Sequence, residues 1–314
     1  MLFDRRVLVV SGKGGTGKTT VAAACAVAAA RTGRRVLLAD VEGREGPAGL
    51  LELDAPGFAE RETPLGFSLM SITPREALLE YLRLFFHMGT VARSLRSARV
   101  LDVATEGIPG FRDLMTAGKL YELTLWRDRA GDPARRPYDL VVVDAPPTGQ
   151  LVPFLSGPSG FRDLIRVGRP ARQLAGIDGL LRDDANVVLV ATPEAMAVEE
   201  TLASIDELSR SPTPVRAVVA NRVQQGFPRG TRAAALRMTP ARLSTVARAA
   251  GIGLSAPEAA DGLTAVSAWD RRVSSERRQV RRLENAATVI ELPFVYTAAF
   301  GRREVERLAD AFRP

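Results

Sequence analysis

The chain has 314 residues, 46% hydrophobic and 25% charged, enough to bury roughly three quarters of its unfolded surface without a disulfide or a structural metal. Its single cysteine, Cys25, excludes an intramolecular disulfide and points to a reducing compartment. The formal charge of +7 admits anionic partners, but the densest basic stretch (Arg271, Arg272, Arg277, Arg278, Arg281 and Arg282) is interspersed with Asp270, Glu276 and Glu284, which favours a solvated helical face and disfavours nucleic acid.

In chain order, Arg6–Val10 is an apolar strand, a glycine-rich loop follows, and Thr19–Arg31 has the pattern of a helix closed by Gly33. Further strands are predicted at Arg35–Ala39, Phe67–Ile72, Asp139–Val143, Asn186–Ala191, Val215–Ala220 and Thr288–Leu292, with helices between them. This alternation predicts an α/β fold with a doubly wound, mostly parallel sheet. Two intervals, 73–132 and 224–285, are too long for simple crossovers and are expected to be helical elaborations of a single domain covering 1–314. Within the first, Thr73 and Glu76 form a helix start, and the helix through His87 and Met88 is apolar on more than one face. The longest apolar run, Val21–Ala30, falls far short of the ~20 residues of a membrane span. With no signal peptide before the first strand, a soluble cytoplasmic protein is expected.

The loop carries the chemistry. Only three of the basic residues are lysines, and two of them, Lys13 and Lys18, lie in Gly12-Lys13-Gly14-Gly15-Thr16-Gly17-Lys18-Thr19-Thr20. This is the P-loop pattern G-x-x-x-x-G-K-[ST] between a strand and a helix. Its glycines let successive N–H groups aim at phosphate oxygens, and the helix N-terminus adds partial positive charge. Lys18 is expected on the β- and γ-phosphates and the Thr19 hydroxyl on Mg²⁺. Tyr138-Asp139-Leu140-Val141-Val142-Val143-Asp144 is a buried strand ending in an acid, placing Asp144 to hold Mg²⁺ through a water. Asp40 and Glu42 end the second strand two residues apart, pointing the same way.

Lys13 is more than an ordinary P-loop needs. Gly12-Lys13-Gly14-Gly15-Thr16-Gly17-Lys18-Thr19-Thr20 resembles the deviant Walker A motif of the MinD and ParA proteins, the nitrogenase iron protein and the ArsA and tail-anchored-protein targeting ATPases, P-loop NTPases of the SIMIBI class. Asp144-Ala145-Pro146-Pro147-Thr148-Gly149-Gln150, followed by Leu151-Val152-Pro153-Phe154-Leu155, resembles the switch segment of the ArsA and targeting group, with Ala145 in place of a hydroxyl and Gln150 in place of a histidine. The segment from Val36 to Gly49 and Thr116-Ala117-Gly118-Lys119 look most like the actinobacterial ArsA-like ATPases, which occur as paired paralogues.

The resemblance implies a Mg²⁺-dependent ATPase with ATP as nucleotide, acting as a homodimer or as a heterodimer with a paralogue, with a protein cargo that the sequence does not name. It implies that Lys13 reaches the nucleotide of the other subunit, and that Glu42 or Asp40 orients the attacking water, Asp40 also lying near Mg²⁺ through a water. Glutamate at position 42 moves the carboxylate by over 1 Å, an error that can cost ~100-fold in rate, so slow hydrolysis is expected. Adenine recognition falls to Asn221 and Arg222 and to Pro293 and Phe294. Thr192 and Pro193 are expected to cap and open a helix, with Glu194 within reach of the site across a dimer. Lys119 or Arg112 is a candidate sensor of nucleotide or partner.

With one cysteine and one histidine, neither an iron–sulfur cluster nor a structural zinc is expected. Two other readings stay open: a ParA- or MinD-like positioning ATPase on DNA or membrane, and a nucleotide-binding regulatory half of a paralogue heterodimer.

Overall fold

A computed structural model describes residues 2–41, 46–86, 107–125, 138–162, 165–211 and 213–312. The strands are β1 (Val7–Gly12), β2 (Val36–Asp40), β3 (Arg61–Glu62), β4 (Ser68–Ser71), β5 (Leu140–Asp144), β6 (Ala185–Ala191), β7 (Val215–Val223) and β8 (Val289–Pro293). They form one sheet in the order β3-β4-β2-β5-β1-β6-β7-β8. Every neighbouring pair is parallel except the β3–β4 edge, which is antiparallel. The predicted doubly wound sheet is therefore observed. The two-residue edge strand β3 escaped prediction because both its residues are exposed and carry no apolar signal.

The central strands are continuous apolar runs because both of their faces are covered. Alternate residues of β1 serve the two faces: Val7 and Val9 join one core, Leu8 and Val10 the other. On the first face lie α4 (Phe111–Leu125), α5 (Thr148–Gly160), α6 (Gly168–Asp183) and α7 (Ala195–Leu208), through Leu120, Phe154, Leu180 and Val198. On the second lie α1 (Lys18–Ala30) and the C-terminal α11 (Arg302–Leu308), through the buried run Val21–Ala29 and Val305 and Leu308. Helix α1 is apolar all round because it is enclosed all round, and its alanines let neighbours approach closely. Cys25 sits in it fully buried, as a small core residue, and burial pushes its thiol far above the usual range.

The first predicted elaboration contains α3 (Pro74–Phe86) and α4; the Glu76 amide donates to Thr73 Oγ1 at 3.4 Å, so the predicted helix start is present. His87 and Met88 lie outside the described residues. Between β2 and β3 there is a short α2 (Gly46–Leu50). The second elaboration contains α8 (Arg232–Leu236), α9 (Pro240–Ala249) and the 29-residue α10 (Ala256–Glu284), opened by a Ser255–Glu258 capping box. All six arginines of the basic stretch are exposed on α10, as a solvated face requires. Glu276 departs from that face: it is buried, accepting from Arg272 Nε at 2.9 Å and from the Gln224 amide at 2.8 Å. Among the described residues no helix is long and apolar enough to cross a membrane.

Candidate nucleotide-binding site

The site lies where parallel strands end. Strand β1 runs two residues beyond its predicted end because Ser11 and Gly12 still pair with Leu189 and Val190 of β6. Gly12 must be glycine: a Cβ there would stand 2.3 Å from the Val190 carbonyl oxygen. The loop then turns, with Gly15 at φ 82° and Gly17 at φ 95°, left-handed conformations that glycine adopts without strain. Thr16 is buried and closes the loop on itself, its hydroxyl donating to the Lys13 carbonyl at 2.8 Å. Around Gly14 and Gly15 there is open space, since a Cβ at either would meet nothing within 4 Å. Lys18, Thr19 and Thr20 form the half-buried first turn of α1.

The predicted acids converge beneath this loop. Asp40 and Asp144 are register partners on adjacent strands β2 and β5, and Ser71 of β4 is the next residue in the same row. Both carboxylates are buried. The Thr19 hydroxyl donates to Asp144 Oδ2 at 2.7 Å, so the loop and the β5 acid meet as the motif required. Gly46 abuts this pair: a Cβ on it would lie 3.5 Å from Thr19 Oγ1 and 4.0 Å from Asp144 Oδ2. Glu42, the other acid singled out with Asp40 in the sequence, lies outside the described residues. After β5, the Ala145 amide pairs with Val10 and the Ser11 hydroxyl donates to the Pro146 carbonyl at 2.6 Å, tying the switch segment to the root of the P-loop. Gln150 is exposed in the first turn of α5.

Three further candidate residues have partners within the chain. Lys13 is held within its own chain, donating to Glu200 of α7. Asn221, expected at a base edge, turns its amide inward: Nδ2 donates to the Thr16 carbonyl at 2.8 Å and Oδ1 accepts from the Arg222 amide at 3.0 Å. The cause is a β-bulge, for the β7–β8 register shifts between Ala220 and Val223 and Arg222 takes φ 61°. Lys119, a candidate sensor, is buried between α3 and α4, donating to Glu80 at 2.6 Å and Glu122 at 3.1 Å. The expected helix cap also moves. Glu194, not Thr192, is the N-cap of α7, because Glu194 itself is extended (φ −103°, ψ 143°).

Pro293 ends β8 opposite Val223, and Phe294 follows, its amide bonded to the Val223 carbonyl and its ring 4.8 Å from that of Tyr296. Tyr296 in turn donates to Gln224. Phe294 and Tyr296 follow β8, the strand paired with β7, which carries Asn221. Sequence reasoning missed Glu200, Gly46 and Gln224. Glu200 becomes legible only once β1 and β6 are known to be neighbours, which places the P-loop beside the start of α7.

A model of the family described as anion-transporting ATPase, ArsA, matches residues 5–178, more than half of the chain. The chain belongs to the ArsA family of ATPases. It is 37% identical over 223 residues to ATPase BagA of Mycobacterium tuberculosis, an alignment covering 69% of this chain and 65% of BagA. It is 23% identical over 248 residues to a protein of Aquifex aeolicus named arsenical pump-driving ATPase 2, covering 69% of this chain and 80% of that one. The family match holds the P-loop, Asp40, Lys119, Asp144 and Gln150; Glu200, Asn221, Arg222, Pro293 and Phe294 lie beyond it.

Proposed function

We propose that this ArsA-family chain is a slow Mg²⁺-dependent ATPase, and that ATP binding and hydrolysis open and close a dimer, of two copies or with a paralogue, to control a partner or cargo protein. The observation that carries the reading is the meeting of Thr19 with Asp144 at 2.7 Å directly under a glycine loop that leaves open space at Gly14 and Gly15. The donor set suits magnesium, since hydroxyl and carboxylate oxygens are the ligands a hard divalent cation takes. Thr19 would hold the ion directly, and Asp144 and Asp40 through water. When bound, magnesium neutralises charge on the phosphate oxygens.

The protein's own groups do the rest. Lys18, at the start of α1, sits where a P-loop lysine reaches the β- and γ-phosphates. The N-terminus of α1 opens at the end of this loop, where its partial positive charge favours phosphate. Asp40 or Glu42 orients the attacking water. Asn221 contributes by fixing the P-loop backbone, and Phe294 and Pro293 offer an apolar wall for a base. Lys13 acts on the partner's nucleotide after leaving Glu200.

Phosphate release by the purified chain tests this. Turnover should require Mg²⁺ and vanish in Lys18→Ala, and Lys13→Ala should lower it by ~10³-fold if Lys13 serves as a finger in trans. Hydrolysis that survives Lys18→Ala, or that ignores chelation, would contradict the assignment.

A further inference from the structure

Away from the nucleotide site, helices α3, α4 and α6 line a half-open cavity of about 170 Å³. Its walls are apolar, with Leu78, Phe111, Leu114, Met115, Leu174 and Ile177 among them. At one side the lining becomes charged: Lys119 of α4, only 6% exposed, donates to Glu80 of α3 at 2.6 Å and to Glu122 of α4 at 3.1 Å. The same ammonium stands 5.1 Å above the Phe58 ring. Tyr81 of α3 donates to Gln173 of α6 at 3.0 Å, joining two of the three helices that line the cavity.

Two features of this wall define a ligand. First, size: a cavity of about 150 Å³ accommodates benzene, so the space here is large enough for one six-membered ring with a short substituent. Second, charge: two carboxylates, each about 30% exposed, face one buried ammonium, so this edge of the cavity carries one more negative than positive charge. Burial, reinforced by the neighbouring Glu80, raises the Glu122 carboxyl above its usual range even with Lys119 beside it. A second cation would relieve that conflict, and an anion would worsen it.

We infer that the cavity between α3, α4 and α6 is a binding site for a small protonated amine on an apolar ring, its ring among Leu114, Met115 and Ile177 and its ammonium on Glu80 and Glu122. The site is separate from the nucleotide machinery and does not rest on the ATPase reading. Its wall helix α3 follows β4, whose last residue, Ser71, is in register with Asp40.

Titration of the full-length chain with benzylamine, benzyl alcohol and benzoate, followed by calorimetry and ligand-observed NMR, tests the inference. Benzylamine should bind saturably and about tenfold more tightly than the isosteric alcohol, the difference expected of a charge-assisted hydrogen bond, and benzoate should not bind. Glu122→Gln should reduce the amine's advantage to about twofold or less while the alcohol binds as before. Filling the cavity from α4 with Gly118→Leu, or from α6 with Ile177→Phe, should abolish both; if one variant fails to fold, the other decides. Equal binding of amine and alcohol, no saturable binding of either, or binding that survives the filling substitutions would overturn the inference.

Discussion

At the scale of single residues, the P-loop of this chain is held by contacts that a nucleotide does not supply. Gly17 is both left-handed and pressed against Asn221, where a Cβ would stand 2.3 Å from Nδ2. Gly17→Ala therefore combines backbone strain with a clash against the residue that braces Thr16, and should cost about 2–3 kcal/mol of stability. Chemical denaturation measures that cost, and binding of a fluorescent ATP analogue should weaken in parallel. Lys13 and Glu200 form a half-exposed ion pair, 42% and 41% exposed, so their attraction is modest. Because Lys13 must leave Glu200 to reach another subunit, Glu200→Gln should tighten nucleotide-dependent dimerisation about two- to fivefold. Nucleotide affinity of the protomer should not change. Sedimentation with a non-hydrolysable ATP analogue measures this, and an unchanged or weakened dimer would remove the competition from the account.

At the scale of elements, strand pairing at the sheet's lower end has its own electrostatics. Arg35, just before β2, donates to Asp139, just before β5, from its amide at 3.0 Å and from Nη2 at 3.2 Å. These hydrogen bonds hold the Asp139 carboxyl below its usual 3.8. A depressed folded value means the contribution is present above the unfolded value and lost as pH falls through the folded one. Both side chains are about half exposed, so Asp139→Asn should cost no more than ~1 kcal/mol near neutral pH. The gap from the parent should close as the solution is acidified below 3.8, which urea midpoints at neutral and acid pH would show. The elements themselves were mostly legible. Central strands announce themselves as unbroken apolar runs because both faces are covered, and α1 announces itself by alanine and by the loop that opens it. Ends were less legible: β1 continues to Gly12 because β6 offers partners there, a fact of pairing that no local pattern contains.

At the scale of the whole molecule, the order β2-β5-β1-β6-β7 explains which site residues could be read and which could not. Asp144 and Thr19 each belong to a motif whose flanks specify its geometry, and the structure brings them together. Asn221 belongs to no such motif. Its inward turn depends on a bulge between β7 and β8 and on β7 lying beside β6, so its bracing role appears only in three dimensions. Glu200 is likewise silent in the sequence, an acid among several on α7, until the sheet places it against Lys13. Lys119 carried a signal as a rare lysine, and the structure ties that lysine to Glu80 and Glu122 between α3 and α4.

If Lys18 serves its own nucleotide and Lys13 the partner's, two variants inactive by themselves should complement each other when mixed. In a mixed dimer of Lys13→Ala and Lys18→Ala subunits, the first subunit keeps its own Lys18 and receives Lys13 from the second, so one complete site forms. With random association, half the dimers carry one such site, and turnover should recover to about a quarter of the parent's. If Lys13 acts within its own subunit, or if the chain hydrolyses ATP as a monomer, the mixture will stay at the level of the separate variants, and the two-subunit account fails.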